Sequence, residues 1–221
     1  MFIEKYFDKD QGIGYTLGRV PINSCDFSPS PSQWTLDDVE NDFDLDSFDT
    51  NATKDKEAVI PLIKAAVAKL KENGRDLKLF ASPWSPPAWM KTNGQMVAGG
   101  KLKSECRASW ATYFVKWIDA YKAAGVDIWG VAPQNEPENP ARWEACVWTA
   151  EETADWIGSE LGPKLKAAHP DVHIFPFDHN KDHVAQWAQT MYPHPEASKM
   201  SFNWSRDAQT TFDQWRFSIC D

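Results

Sequence analysis

The chain has 221 residues, of which 42% are hydrophobic, 25% charged and 13% aromatic, a soluble globular composition that excludes collagen, coiled coil and disorder. Lys plus Arg number 23 against 32 Asp plus Glu, a net charge of −9, which argues against nucleic acid or an anionic membrane as partner. No stretch approaches the roughly 18 apolar residues of a transmembrane segment, and residues 1–8 (MFIEKYFD) lack the apolar run of a signal peptide.

In chain order, Gly14 to Ile22 reads as a strand. Glu57 to Asn73 carries apolar residues at 59, 60, 63, 66, 67 and 70, one face of a helix that Gly74 closes. Leu77 to Ala81 is a short strand. Arg107 to Ala124 repeats the helical pattern with Trp110, Phe114, Trp117, Ile118 and Tyr121, and Gly125 closes it. Asp127 to Ala132 is the next strand. Thr149 and Glu152 form a capping box that opens a helix with Ile157, Leu161 and Leu165 on one face. Pro163 should kink that helix or end its first part. Val172 to Phe177 is a strand, and Asp182 to Met191 is helical. A fifth strand over Met200 to Trp204 completes the pattern.

Strand and helix in strict alternation predict βα units and a parallel sheet. No GxGxxG follows a strand and no GxxxxGK[ST] occurs, so a nucleotide-binding fold lacks its signature. Polar and aromatic residues gather behind each strand instead: Arg19 and Asp26, then Ser82 to Trp84, then Gln134 to Glu136, then Asp178 to Asn180. That is the layout of a (β/α)8 active face. A whole barrel takes about 250 residues, so the fold class is α/β, a partial (β/α)8 barrel of about strands 2 to 5 or 6.

Asn135-Glu136-Pro137 is the sharpest chemical feature. A carboxyl at a strand mouth among apolar neighbours can hold its proton and act as a general acid, and the adjacent amide can bond a sugar hydroxyl. The bland alternative is a loop carboxylate that caps a helix. Glu138 is a competing carboxylate, read as solvated. Twelve tryptophans are many for this length, and flat indoles suit sugar rings. Trp84 and Trp89 flank a proline-stiffened loop, as sugar-site walls or as core. Residues 91–94 (KTNG) end in a turn signal. His179 and His183, four apart, could bind metal only on one helix, and they straddle a junction instead. His169, His173 and His194 read as surface or edge residues. Cys25, Cys106, Cys146 and Cys220 are widely spaced with no CxxC, so they read as mostly free thiols.

Several stretches together resemble glycoside hydrolase family 30. They are residues 12–15 (GIGY), 19–28 (RVPINSCDFS), 60–63 (IPLI), 81–94 (ASPWSPPAWMKTNG), 110–116 (WATYFVK), 135–137 (NEP), 143–146 (WEAC) and 161–163 (LGP). The resemblance spans most of residues 2 to 200. It implies a retaining β-glycosidase that needs no metal or organic cofactor, with Glu136 as acid/base and Asn135 at the sugar 2-hydroxyl. Asp26, Phe27 and Trp84 match glucose-pocket positions, Arg19 lies near the catalytic carboxylates, and Asp178 and Asn180 lie on the rim. Cys25 and Cys146 match free cysteines of the family. The implied substrate is a β-glucoside, most directly glucosylceramide. An endo-β-1,6-glucanase or a catalytically inactive sugar-binding remnant are the alternatives. The family is lysosomal or secreted, with peripheral membrane contact in the full-length protein. The acceptor triplets at Asn51 and Asn203 accord with a secretory route.

The departures also carry expectations. The family's nucleophile is a second glutamate at the end of the seventh barrel strand, and the chain ends before that strand. The first barrel strand and the accompanying β-sandwich have no counterpart. The pattern breaks at Ser201 to Asp207. Residues 1–200 are therefore expected to be a partial catalytic domain and residues 201–221 a divergent or misjoined tail, with no turnover by the chain on its own.

Overall fold

The computed structural model describes residues 2–29 and 33–201. Its strands are β1 (Leu17–Ile22), β2 (Lys78–Pro83), β3 (Gly130–Val131) and β4 (His173–Ile174). The helices are α1 (Phe2–Phe7), α2 (Thr53–Glu57), α3 (Val59–Glu72), α4 (Arg107–Ala123), α5 (Ala150–Trp156), α6 (Gly162–Ala168), α7 (Val184–Met191) and α8 (Ala197–Met200). The sheet order is β1-β2-β3-β4, every pair parallel. Helices in the connections between parallel strands make this an arc of an α/β barrel.

Register explains which side chains face where. Val20 pairs with Ala81, Ala81 with Val131, and Val131 with Ile174. These residues, with Ile22 and Leu79, are buried in the main core with the helices. The alternate positions face the concave side, since successive strand residues point to opposite faces. There Phe80, Ala132 and Phe175 form a second, smaller cluster. Gly130 belongs to that side, where an added Cβ would lie 2.4 Å from the Phe175 ring. Arg19 pairs with Phe80 and Pro21 with Ser82, so Arg19 and Ser82 emerge on the concave side as well.

Helix α4 anchors the arc. Trp110, Tyr113, Phe114, Trp117 and Tyr121 are all fully buried. Truncating one such ring typically costs about 3–5 kcal/mol. Half of the twelve tryptophans serve this core. Trp89, Trp110, Trp117, Trp148, Trp156 and Trp187 all pack in it, which settles Trp89 as core and leaves Trp84 as the indole next to the polar residues.

Several local expectations change. The regular pairing of β1, β3 and β4 is shorter than the apolar runs that contain them, although Trp129 N–H still donates to Leu79 O and Phe175 N–H to Val131 O. The first long helix has a break at Ala58, where φ is −147° and ψ −45°, and α2 precedes it. The capping box at Thr149 is present in both halves. The helix it opens passes through a π turn, residues Ile157–Leu161, before α6. Gly162 N–H reaches back to Ile157 O, the wider ladder that a following proline without an N–H accommodates. A side chain at Gly162 would meet that same oxygen at 2.6 Å. Between Asn180 and α7, residues Lys181–His183 form a 3-10 turn. The fifth-strand expectation fails at Met200, which ends α8, because α8 packs on the π turn and α6. The rest of it, with Cys220 and Asn203, lies outside the described residues. His169 is buried, not a surface residue, with Nε2 3.2 Å from Asp119 Oδ1. Among the described residues no helix is long and apolar enough to cross a membrane.

Asp55 on α2 is 2% exposed. Burial pushes its carboxyl up to about 7, against the opposing pull of the Tyr121 hydroxyl and with help from Asp49. A raised carboxyl stabilises the fold at low pH and loses that contribution as pH climbs towards the folded value. Asp55→Asn is therefore expected to exceed the parent in stability at pH 8 by on the order of 1–3 kcal/mol. The difference should shrink steadily towards pH 4, as read by urea unfolding at several pH values.

Candidate active site

The concave side carries a cation that the sheet itself delivers. Arg19 lies within β1 and not behind it. Its terminal nitrogen donates to Asp178 Oδ2 at 2.6 Å, Ser82 Oγ at 2.7 Å and Asn135 Oδ1 at 2.8 Å. Ser82 Oγ also donates to the same Asp178 oxygen at 2.7 Å. Three different strand ends thus converge on one guanidinium. The guanidinium carbon sits 4.5 Å from the centroid of the Trp84 ring, and Phe27 meets that indole edge-on at 5.7 Å. Trp84 is buried while Phe27 is 71% exposed, so Phe27 is the outward end of this aromatic pair.

Asn135 is held from two directions. Its backbone N–H donates to Pro83 O at 2.8 Å, and its side-chain oxygen accepts from Arg19. The side-chain NH2 is left without a hydrogen-bond partner among the described residues. Glu136 follows in a strained conformation, with φ of 44°, a region that non-glycine residues enter only when the surroundings enforce it. The enforcement comes from the loop behind β4, because Glu136 N–H donates to Asp178 O at 2.8 Å. One carboxylate oxygen, Oε2, accepts from Asn139 Nδ2 at 2.8 Å.

Glu138 is not solvated as its distance from the strand suggested. Its Oε2 is 2.6 Å from His183 Nδ1, and its Oε1 accepts from Trp187 Nε1 at 3.1 Å. The loop behind β3 is therefore pinned to α7 and the turn before it. Hydrogen bonds from His183 and Trp187 overcome partial burial and hold the Glu138 carboxyl below its ordinary value, while Glu138 and Asp182 raise His183. His183 is thus spoken for by a carboxylate, and His179 Nδ1 accepts from Asn180 N–H at 2.7 Å. Among the described residues no group of three His, Cys, Asp or Glu side chains is arranged to hold a metal ion.

The loops behind the strands are tied to one another below the site. Tyr113 of α4 donates to Asn23 Oδ1 and accepts from Leu36 N–H. Asn23 in turn donates to Ser85 O at 3.2 Å. Ser24 donates to Glu144 Oε1 at 3.1 Å, and Gln134 Nε2 donates to Trp84 O at 2.7 Å. Lys91 is fully buried, its ammonium donating to Met96 O at 3.0 Å and Ala145 O at 2.5 Å. Burial lowers it to about 8. Cys25, Cys106 and Cys146 are free and buried. Burial raises all three thiols, Cys146 to about 12, which makes them poor nucleophiles.

Of the residues singled out in the sequence, Arg19, Trp84, Asn135, Glu136 and Asp178 stand together, with Phe27 against Trp84. Asp26 and Asn180 are exposed on the neighbouring loops. Sequence reasoning missed Asn139 and the Glu138–His183–Trp187 contact. The proline on each side of Glu138-Asn139 was the available signal for a fixed turn there.

The chain matches the glycosyl hydrolase family 30 TIM-barrel domain over residues 1–210 and belongs to that family. It is 38% identical over 205 residues to putative glucosylceramidase 3 of Caenorhabditis elegans, covering 89% of this chain and 38% of that protein. It is 37% identical over 207 residues to the lysosomal acid glucosylceramidase of Mus musculus, covering 90% of this chain and 39% of that protein. Among solved structures, the endo-beta1,6-glucanase BT3312 superposes with a TM-score of 0.79 at 29% identity, covering 97% of this chain and 49% of that one. The chain thus spans less than half the length of each of these proteins.

The Glu138–His183 pair has a defined pH window. Its stabilisation is present below the ordinary histidine value and is lost as pH rises through the raised value of His183. On the acid side it is lost as Glu138 takes up a proton below its ordinary value. His183→Ala is accordingly expected to lower the melting temperature at pH 6 and to have little effect at pH 9. Scanning calorimetry of both proteins at the two pH values reads this directly.

Proposed function

We propose that these residues form the acid/base side of a retaining β-glycosidase site, with a β-glucoside as substrate and glucosylceramide as its most direct form. The observation that supports this best is the position of Glu136 behind β3, next to the Asn135 whose side chain is held by Arg19, the guanidinium lying over the Trp84 ring, and with the Glu136 backbone N–H bonded to Asp178 O. Trp84 and Phe27 give the sugar an apolar wall, and Asp26 and Asn180 take hydroxyls at its rim. Arg19 holds Asn135 so that its NH2 meets the 2-hydroxyl. Glu136 protonates the glycosidic oxygen as a second carboxylate attacks the anomeric carbon. The glycosidic bond breaks, a glycosyl-enzyme ester forms, and the aglycone leaves with the proton. Water then attacks the same carbon, giving its proton to Glu136 and releasing the second carboxylate.

Asp178 and Glu138 are both held by other groups, which argues against either as that second carboxylate. Retention needs two carboxyls about 5–5.5 Å apart across the scissile bond, one of them free to attack. Asp178 Oδ2 is engaged by Arg19 and Ser82, and both oxygens of Glu138 are engaged by His183 and Trp187. The 221-residue chain alone is therefore expected to hydrolyse an aryl β-glucoside no faster than its Glu136→Gln variant. Glu136-dependent turnover by this chain would show that one of these carboxylates, or another in the chain, attacks.

In a protein carrying the whole barrel, Glu136→Gln keeps the shape and removes both proton transfers. Turnover of glucosylceramide should fall by about 10²–10⁴-fold, the usual range for one general acid or base. A dinitrophenyl glucoside, whose leaving group needs no proton, should keep its first step, so a burst of dinitrophenol remains. Equal loss on both substrates would make Glu136 structural.

The likeness to the endo-beta1,6-glucanase favours a second reading, hydrolysis of a β-1,6-glucan. Parallel assays on glucosylceramide and on the glucan separate the two. The lysosomal relative and an exposed Asn51 in an acceptor triplet support a secretory or lysosomal location, where a glycolipid substrate would bring the protein to a membrane surface.

A further inference from the structure

We propose that Asn139 is a positioning residue for Glu136, and that it decides which carboxyl oxygen carries the catalytic proton. The inference rests on the reading of Glu136 as the acid/base. Asn139 Nδ2 donates to Glu136 Oε2 at 2.8 Å, and the Asn139 backbone N–H donates to Glu136 O at 2.9 Å. The two bonds close a turn from residue 136 to 139 at both its backbone and its side chains. Pro137 and Pro140 stiffen it, each fixing its own φ and restricting the residue before it. The turn is anchored outward as well, because Trp148 N–H donates to Pro137 O at 2.8 Å.

The neighbouring Glu138 does not compete for the Asn139 amide. Both of its oxygens point to the other side, to His183 and Trp187. Oε1 of Glu136 has no hydrogen-bond partner among the described residues, whereas Oε2 has one.

The chemical consequence follows from donor and acceptor counting. A carboxylic acid has one carbonyl oxygen and one hydroxyl oxygen, and the carbonyl oxygen is the better acceptor. A fixed N–H directed at Oε2 favours the form with the carbonyl at Oε2 and the proton on Oε1. Oε1 is then the atom that delivers the proton to the leaving oxygen and later receives one from water. Without Asn139 the proton divides between the two oxygens and the carboxyl can turn about its last bond. Proton delivery then loses efficiency while sugar binding, made by other residues, is kept.

Two measurements test this. In the 221-residue chain, the Asn139 side-chain NH2 resonances in a ¹⁵N spectrum should move as Glu136 ionises. Glu136→Gln should abolish that movement and Glu138→Gln should preserve it. Movement that survives Glu136→Gln, or that is lost with Glu138→Gln, would overturn the assignment. In a protein carrying the whole barrel, Asn139→Ala should lower kcat for a glucoside with a poor leaving group by roughly tenfold, the scale of one hydrogen bond to a charged group. KM should stay unchanged, and the rate of dinitrophenol release in the burst should change by less than about twofold. Asn139→Leu serves as a second variant of similar volume if the alanine protein folds poorly. Equal loss on both substrates, or no loss on either, would overturn the proposal. The Glu136→Gln protein, assayed alongside, separates the outcomes. If it shows selective loss and Asn139→Ala does not, the acid/base reading stands and the positioning role fails. If Glu136→Gln itself loses both substrates equally, the acid/base reading fails.

Discussion

A guanidinium placed on the concave side of a parallel sheet must find oxygens, and the remainder of the site is arranged by that requirement. Arg19 reaches its position because β1 alternates, with Val20 turned to the helices and its neighbours turned inward. The cation then collects a hydroxyl from β2, an amide oxygen from behind β3 and a carboxylate from behind β4. Each of these groups comes from a different βα unit, so the ion pair is also the lock between units. An unpaired charge there would be costly, and partial exposure of Arg19 limits what the pair adds to stability by itself. Its larger effect is orientational, since it leaves Asn135 with one amide face committed and the other free.

The next constraint is the backbone of Glu136. A positive φ at a residue before proline is an unfavourable local choice, of order 1–3 kcal/mol. It persists because the N–H is claimed by Asp178 O on one side and the C=O by Asn139 N–H on the other. The same residue Asp178 therefore serves Arg19 with its side chain and Glu136 with its backbone. A site assembled this way holds its geometry before any ligand arrives, which is what proton transfer from a fixed carboxyl requires.

Beneath the site the support is aromatic and polar together. Tyr113 sits in the fully buried stripe of α4 and yet its hydroxyl holds the loop behind β1 through Asn23. Packing fixes the ring, and the hydrogen bond passes that rigidity to the loop. Lys91 does the same between the loops behind β2 and β3, its ammonium bonded only to backbone carbonyls in a dry environment. Family membership fits this division of labour. The scaffold residues lie within the family's TIM-barrel domain.

Much of this was legible in the sequence because it rests on local rules. Periodicity alone places α3 and α4, the Thr149–Glu152 capping box appears as read, and apolar runs mark every strand that forms. The motif at Asn135-Glu136-Pro137 and the positions of Arg19 and Trp84 were visible as residue types at strand ends. What only the tertiary structure decided are contacts between residues far apart in the chain. Glu138 read as solvated because nothing near it in sequence is a partner, and it is His183, 45 residues away, that engages it. The pattern leaves Trp89 open between sugar-site wall and core, and His169 reads as a surface or edge residue although it is buried, since a single side chain's burial depends on which helix covers it. The π turn before Gly162 escaped because proline announces a break but not its form, which the oxygen of Ile157 and the packing of α8 determine. Local chemistry sets which elements form, and long-range packing alone sets which charges meet.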